Sequence, residues 1–257
     1  MQSKTSSRRE TPMKAERKAE RKRLLVSVIL LGILLWPVSL KWLLRLLFPQ
    51  EQVLVYPLKS PGALVLEHMG IVLLTSTLAA VAGFVAALLA FLSASASMKR
   101  LIVFSGTVLQ TIPPMAVLAL LIPLAGFGNT PVFWALFFYG LLPVFHNAYG
   151  AMETVPQDVV NAARGIGLSA SQIFFQVTIP LALSGILSGI RTSLIINIGT
   201  ATIGATMGAG GLGRPIIAGI SQFRYSYLVQ GALTAAVLAL IVDGLFELFS
   251  SKSARGS

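Results

Sequence analysis

Along most of this chain the hydrophobic pattern does not alternate; it runs on. Uncharged stretches cover residues 24–40, 69–98, 101–145, 192–213 and 225–242, and all of the Asp, Glu, Lys and Arg lie outside them. A helix that crosses a bilayer needs roughly 20 largely apolar residues. The 101–145 stretch is too long for one such helix, and Gly126-Phe127-Gly128-Asn129-Thr130-Pro131 supplies the turn that divides it. The pattern therefore predicts six helices, at about 24–44, 69–93, 101–125, 131–150, 181–205 and 227–249. The fold class expected is an all-α polytopic membrane protein.

Composition agrees. Of 257 residues, 55% are hydrophobic and 11% charged, with a mean hydropathy of +0.80; a soluble domain needs far more charge to cover its surface. The first apolar run follows Arg21-Lys22-Arg23 as the core of a signal peptide would, but Lys41-Trp42-Leu43-Leu44-Arg45 stands where a small-residue cleavage site belongs. It reads as an uncleaved span. The net charge of +11 does not point to nucleic acid: nine of the twenty Lys and Arg precede Leu24, and the rest mostly flank apolar runs. With an inside N-terminus, inside segments hold 14 basic residues and outside segments five, with Arg191 inside a span. Both termini and the 150–180 loop are then cytoplasmic. The chain has no cysteine, and its two histidines, His68 and His146, are too far apart to suggest a metal site.

The polar interruption at 150–180 is the most informative stretch. Thr154 followed by Gln157 fits a capping box, with Pro156 tolerated in the first turn, and Ser169 followed by Gln172 repeats the device. Gly165 and Gly167 are expected to end the first helix and turn the chain, and Pro180 to end the second before the next span. Asp158, Asn161, Ala162, Ala163 and Arg164 complete the first helix. Two readings stand side by side: a loop that caps its own bundle, or a short rigid helix that inserts into a groove on a soluble subunit. Gly165-Ile166-Gly167-Leu168-Ser169-Ala170 matches a relaxed dinucleotide fingerprint, but no β-rich strand precedes it and no acid lies about 20 residues on. There is no G-x-x-x-x-G-K-[S/T] segment either, so hydrolysis of ATP would fall to another chain.

Within the spans, Gly185, Gly189, Ser193, Asn197, Thr200 and Gly204 share one helix face. Small residues at that spacing permit close helix contact. Asn197 should look into the bundle or a water-filled route, since an amide facing lipid is expensive. Packing and transport explain this face about equally well, with Asn197 and Thr200 favouring a route. Arg191 is placed to pair with Asp243, either as structural glue or as part of an inner gate. Pro113 and Pro114 must disturb the third span beside Gln110 and Thr111, as a simple kink or as a polar site. Gly208, Gly210, Gly211 and Gly213 suggest a tight re-entrant turn or a mobile cap near the outer mouth. His68 is expected at the outer boundary of the second span and His146 in packing or at the interface.

The 150–180 loop resembles the membrane-subunit signature of binding-protein-dependent ABC importers, E-A-A-x(3)-G-x(9)-I-x-L-P, here as Asn161-Ala162-Ala163, Gly167, Val177 and Ile179-Pro180. Gln110-Thr111-Ile112-Pro113, Leu142-Pro143-Val144, Asn147, Ala162-Ala163-Arg164-Gly165, Gly189-Ile190-Arg191-Thr192, Ile196 to Thr202 and Gly208 to Gly213 are similar to permeases for glycine betaine, choline, carnitine and related quaternary amines. The likeness covers roughly 65–245. It implies a type I importer permease of a bacterial inner membrane, multi-pass, forming the translocation route. A second permease subunit, identical or paralogous, a cytoplasmic ATPase dimer and an extracytoplasmic solute-binding protein would complete the machine. ATP and Mg would sit on the ATPase, with no cofactor on this chain, which would be non-catalytic. Residues 154–167 would be the coupling helix, and the inner and outer gates would involve Asn147, Arg191 and the Gly208–Gly213 segment. The layout implied is a basic cytoplasmic tail (1–23), a first helix with its outer loop (24–64), a core permease (65–249) and a C-terminal tail (250–257). Two departures stand out: Asn161 replaces the signature glutamate, and His146 replaces an arginine before Asn147. The competing expectations are a permease for an amino acid or another small solute, and a secondary transporter. The second is weakened by the lack of an array of buried carboxylates.

Overall fold

A computed structural model describes residues 3–93, 104 and 111–253, and the regular elements among them are all helical. In chain order they are α1 (Ser3–Leu35), α2 (Pro37–Leu47), α3 (Pro61–Leu92), α4 (Pro114–Ala125), α5 (Asn129–Glu153), α6 (Gln157–Gly165), α7 (Ala170–Ile173), α8 (Ile179–Ile203), α9 (Gly213–Ser221) and α10 (Tyr225–Ser253). Among the described residues four stretches are long and apolar enough to cross a membrane: α3, α5, the continuous rod Ala170–Met207 that contains α7 and α8, and α10 through Phe249. The bent pair of α1 and α2 counts as a fifth at most. The expected third span, 101–125, falls partly outside the described residues, and its described helix α4 has 12 residues, too few to cross alone.

The first expected span, 24–44, is not one helix. The chain bends by 91° between α1 and α2. Pro37 is the cause: it has no N–H for the Ile33 carbonyl, and it pushes the preceding Trp36 into the extended region (φ −81, ψ 117). Ser39 meets the freed group by donating its hydroxyl to Ile33 O at 2.7 Å. Before the bend, α1 packs along α10, with Leu24 beside Gly244 and Leu34 near Val237. After it, Leu40 and Leu44 of α2 bury against Leu54 and Val237. The extended strap that follows is tied to α10. Glu51 accepts from Ser226 Oγ (2.5 Å) and Ser226 N (3.2 Å), Gln230 Oε1 accepts from Tyr56 N (2.9 Å), and Tyr56 and Tyr227 meet edge to face.

The heart of the bundle is the contact of α3, α5 and α8, and glycine makes it close. A Cβ on Gly83 of α3 would lie 2.7 Å from Leu141 O of α5. On Gly189 of α8 it would lie 3.0 Å from Pro143 O and 3.0 Å from Val144 Cα. Backbones this near gain dispersion contact that larger residues would prevent, and lipid supplies no hydrophobic drive to replace it. Around this contact Leu64, Val72, Val132, Leu136, Ile198 and Leu212 form one buried cluster, and Ala87, Phe145, Met152, Ala182 and Ile186 form another toward the 150–180 loop.

The expected Arg191–Asp243 pair is present. Arg191 Nε donates to Asp243 Oδ1 at 2.6 Å, and Nη2 donates to Glu247 Oε1 at 3.1 Å, which ties α8 to α10 at two successive turns. Glu247, four residues after Asp243, is the partner that the sequence reading did not name. Without the arginine the two carboxylates would face each other on one helix face.

Pro180 does not end a helix as expected. The chain stays helical across it because Phe174–Thr178 widens into a π-turn, in which Ile179 N–H reaches the carbonyl of Phe174. The wider turn accommodates a proline that has no donor for the carbonyl four residues back.

Two outcomes follow. Gly189→Val will prevent recovery of a folded, monodisperse protein in detergent, whereas Gly199→Ala, where a Cβ meets nothing within 4 Å, will leave thermal stability unchanged or raised. Arg191→Glu and Asp243→Arg will each lower the apparent melting temperature, and the double exchange will recover most of the loss.

Candidate functional site

The 150–180 loop forms a rigid corner. The capping box expected at Thr154–Gln157 is absent: α6 starts at Gln157 with Pro156 as its cap (φ −60, ψ 127), and Thr154 instead donates its hydroxyl to Ala151 O at 3.1 Å. Proline presents no side-chain acceptor, so the first turn leans on its carbonyl, which receives Val159 N at 3.1 Å. Asp158 in the first turn and Arg164 in the last complement the helix dipole. The turn falls to Gly167 (φ +88), while Gly165 stays helical. Gly167 N donates to Arg164 O (3.0 Å) and Leu168 N to Ala163 O (3.1 Å), the bond pattern of a Schellman C-cap. Two residues later the Ser169–Gln172 capping box forms as expected, with Ser169 N to Gln172 Oε1 at 2.8 Å and Gln172 N to Ser169 Oγ at 3.3 Å.

Val155 and Ala163 are buried and hold α6 against the bundle. Asn161, Ala162, Arg164, Gly165 and Gly167 are exposed, as are Pro156 and Asp158. Beside them Ile166 is 81% exposed and Phe175 66% exposed. The corner thus offers a small-residue helix face together with two exposed bulky apolar side chains. Pro180, exposed, starts α8 behind it.

A second group of polar residues lies inside the bundle. Asn197 is fully buried and donates from Nδ2 to Ser76 Oγ of α3 at 2.9 Å. Asn197 Oδ1 and the buried hydroxyl of Ser193 have no hydrogen-bond partner among the described residues. Gly140 of α5 leaves room for both: a Cβ there would sit 2.7 Å from each of Asn197 Nδ2 and Ser193 Oγ. Thr200, one turn on, is also buried. Asn197 therefore looks into the bundle, as its cost in lipid demands, and it sits at a three-helix contact. Asn147 of α5, half-buried, donates to Pro143 O at 2.9 Å and packs against Gly189 and Gly185. His146 lies edge-on to Phe145 at 5.2 Å, a packing role as expected.

At the far end of α8 the glycine segment forms the tight turn that its composition predicts. A 3₁₀ turn, Gly204–Met207, leads into Gly208 (φ +85) and Gly211 (φ +79) before α9. Gly211 N donates to Glu67 Oε2 at 3.2 Å, and a Cβ at this residue would lie 2.9 Å from His68 Cα. The turn is therefore seated on the first turns of α3. Glu67 also pairs with Lys59. His68, near the start of α3, faces the bundle: it is 1% exposed, and its Nε2 lies 3.0 Å from Ile198 O of α8. A carbonyl only accepts, so Nε2 carries the proton. Gly210 and Gly213 belong to the same turn, Gly210 against Glu67 and Gly213 buried against Thr202 and Ala205.

The third expected group is split. Pro113 and Pro114 break the helix as expected, and α4 restarts at Pro114. The Ile112 carbonyl left by the break accepts from the hydroxyl of Tyr139 on α5. Thr111 is exposed, and Gln110 lies outside the described residues. The structure thus joins Asn197 with Ser76, buries Thr200 one turn further along α8, sets the glycine turn on Glu67 and His68, and leaves α6 with Pro156, Asp158 and Asn161 to Gly167 apart as a surface element. Glu67, Ser76, Tyr139 and Glu247 were missed. Only Glu67 and Glu247 carried a signal, being among nine acidic residues in the chain.

Comparison with known proteins accounts for this arrangement. Residues 79–255 match the family described as "Binding-protein-dependent transport system inner membrane component". The chain is 39% identical over 145 residues to the glycine betaine/carnitine/choline transport system permease protein OpuCB of Bacillus subtilis (strain 168), covering 56% of this chain and 67% of that one. It is 40% identical over 148 residues to the osmoprotectant import permease protein OsmW of Salmonella typhimurium, covering 56% and 69%. In fold it is similar to the inward-facing MetNI methionine ABC transporter, with a TM-score of 0.66 at 19% identity over 73% of this chain and 93% of that one. A similar likeness, at a TM-score of 0.65 and 20% identity, holds for an amino acid ABC transporter crystallised with histidines, over 75% and 93%. A buried small-residue bundle, an exposed helical corner and four or five long apolar spans are what a non-catalytic, multi-pass transport component of an inner membrane requires. The chain belongs to the family of binding-protein-dependent transport system inner membrane components.

Proposed function

We propose that this chain is the permease subunit of an ATP-driven importer for quaternary-amine osmoprotectants such as glycine betaine, choline or carnitine. The reading is carried by relatives near 40% identity, which are glycine betaine, choline, carnitine and osmoprotectant permeases. In this reading the chain makes six crossings, the third completed by the 101–125 segment, and both termini face the cytoplasm. Residues 1–23 are a basic inner tail, 24–64 the first crossing with its outer strap, 65–249 the core permease, and 250–257 an inner tail. A second permease subunit, identical or paralogous, stands beside it. A cytoplasmic ATPase dimer binds ATP and Mg, and an extracytoplasmic binding protein delivers the solute.

The coupling element is α6 with its corner, where Pro156, Asp158, Asn161, Ala162, Ala163, Arg164, Gly165, Gly167 and Pro180 serve. Asn161, Ala162 and Gly165 leave a low-relief helix face that fits a groove, and Ile166 and Phe175 supply apolar burial. The Schellman turn at Gly167 and the capping box at Ser169 keep the corner stiff, so displacement of α6 moves the rod Ala170–Met207 rather than a loop. On the route side we assign Gln110, Thr111, Pro113, Asn147 and Arg191 toward the inner half. Asn197 and Thr200 take mid-depth, and Gly208, Gly210, Gly211 and Gly213 the outer gate.

Gly167→Val, forcing a β-branched residue to positive φ, will leave ATPase activity of the assembled transporter present while solute uptake falls at least tenfold. Uptake that keeps pace with hydrolysis in this variant would remove the coupling role. Because the chain has no cysteine, Asn161→Cys gives a single reporter. An impermeant thiol reagent will label it only after the cells are permeabilised, and labelling of intact cells would reverse the orientation.

A further inference from the structure

Between the first turns of α3, the start of α5 and the glycine turn lies a pocket of about 380 Å³, lined by Glu67, Gly70, Asn129, Phe133, Gly210 and Arg214 among others. That volume is within the range of small-molecule sites, roughly 300–1,000 Å³. Its chemistry is polarised. A Cβ at Gly210 would lie 2.8 Å from Glu67 Oε2 and 3.6 Å from Arg214 Nη2, so a carboxylate and a guanidinium flank one bare glycine. Glu67 is held in place by Lys59 and by Gly211 N–H. Arg214, half-buried, makes no side-chain hydrogen bond or close ion pair with a described residue and acts on Glu67 through charge alone, which leaves its N–H fork open. Phe133 stands on the wall, held edge-on by Trp134 at 5.4 Å.

We infer that this pocket is a transit site in the permease for the zwitterionic substrate, taking the carboxylate on Arg214 and the quaternary ammonium against Phe133 and Glu67. The inference rests on the proposed osmoprotectant reading and assigns the permease a substrate contact of its own. A guanidinium binds a carboxylate through two parallel hydrogen bonds. A quaternary ammonium has no N–H to donate, so it needs what Phe133 and Glu67 offer: a ring face and an unlike charge. Gly210 keeps the two charged groups accessible, because any side chain there would displace Glu67. The site adjoins the Gly208–Gly213 turn, so occupancy and the position of that turn are physically linked.

The test uses the permease–ATPase complex purified without its binding protein, titrated with radiolabelled glycine betaine and, separately, choline, which lacks the carboxylate. Wild type will bind both saturably. Arg214→Gln will weaken glycine betaine at least tenfold, the loss of a charge-assisted contact, and leave choline within twofold. Phe133→Leu will weaken both. Gly70→Phe fills the pocket at a point where a Cβ meets nothing within 4 Å; it will abolish both while the complex keeps its elution volume. Non-saturable titration, or binding that survives Gly70→Phe, overturns the site. Uptake by the complete wild-type transporter is measured in parallel. Intact uptake with failed binding removes this site alone, whereas no uptake of either solute removes the substrate reading and the site with it.

Discussion

The structure depends on how closely the backbones of α3, α5 and α8 approach one another. In a bilayer, apolar side chains gain little by leaving lipid for each other, so packing density and interhelical hydrogen bonds must hold the helices together. Gly83, Gly140 and Gly189 set that density, because each faces backbone or polar atoms that a Cβ would strike. The closeness at Gly140 is also what allows Asn197 to reach Ser76 across the contact and hide its amide from lipid. The same contact leaves Asn197 Oδ1 and Ser193 Oγ without partners among the described residues. Packing has therefore been satisfied ahead of hydrogen bonding at the centre of the bundle, and a group left unmet there costs free energy wherever it is buried.

From that contact the rod Ala170–Met207 runs from the exposed corner to the glycine turn. At 1.5 Å per residue, 38 residues reach about 57 Å, more than the roughly 30 Å of a hydrocarbon core. One continuous element thus touches both ends of the molecule. Its irregularities lie toward its two ends, the π-turn before Pro180 near the corner and the 3₁₀ turn Gly204–Met207 beside the glycine turn, and the stretch that carries Arg191, Asn197 and Thr200 is regular. Arg191 ties that half to α10 through Asp243 and Glu247, so the two helices are constrained to shift together.

Much of this was legible along the chain, and the exceptions share a cause. The Ser169 capping box, the turn at Gly167, the break at Pro113 and Pro114, and the Arg191–Asp243 pair all rest on local chemistry or on one rare charge seeking another. The bend at Trp36 was hidden because hydropathy counts side chains and is blind to a missing backbone donor at Pro37. The opposite error occurred at Pro180, where a helix end was expected and a π-turn absorbed the proline instead. The Thr154 box failed because Pro156 took over the cap itself. Glu67, Ser76 and Tyr139 find partners far along the chain, at the glycine turn, on α8 and at the Ile112 carbonyl before α4, and a contact of that kind leaves no trace in local spacing. His68 reads as a boundary residue by position, yet the same long-range packing buries it beneath Gly211.

The replacement of the signature glutamate by Asn161 can now be weighed. Under the proposed docking, a charge at the rim of an interface contributes about 0.2–1 kcal/mol, and salt reduces it further. Burying an isoleucine or phenylalanine side chain contributes about 1.5–3 kcal/mol. Ile166 and Phe175, both largely exposed, belong to the same corner as Asn161, so the apolar contribution the corner can make exceeds what the missing carboxylate could supply. The amide keeps a donor and an acceptor for the groove, and the small neighbours Ala162 and Gly165 keep the approach close. The change from charge to amide therefore alters which ATPase surface fits best more than whether one can be held.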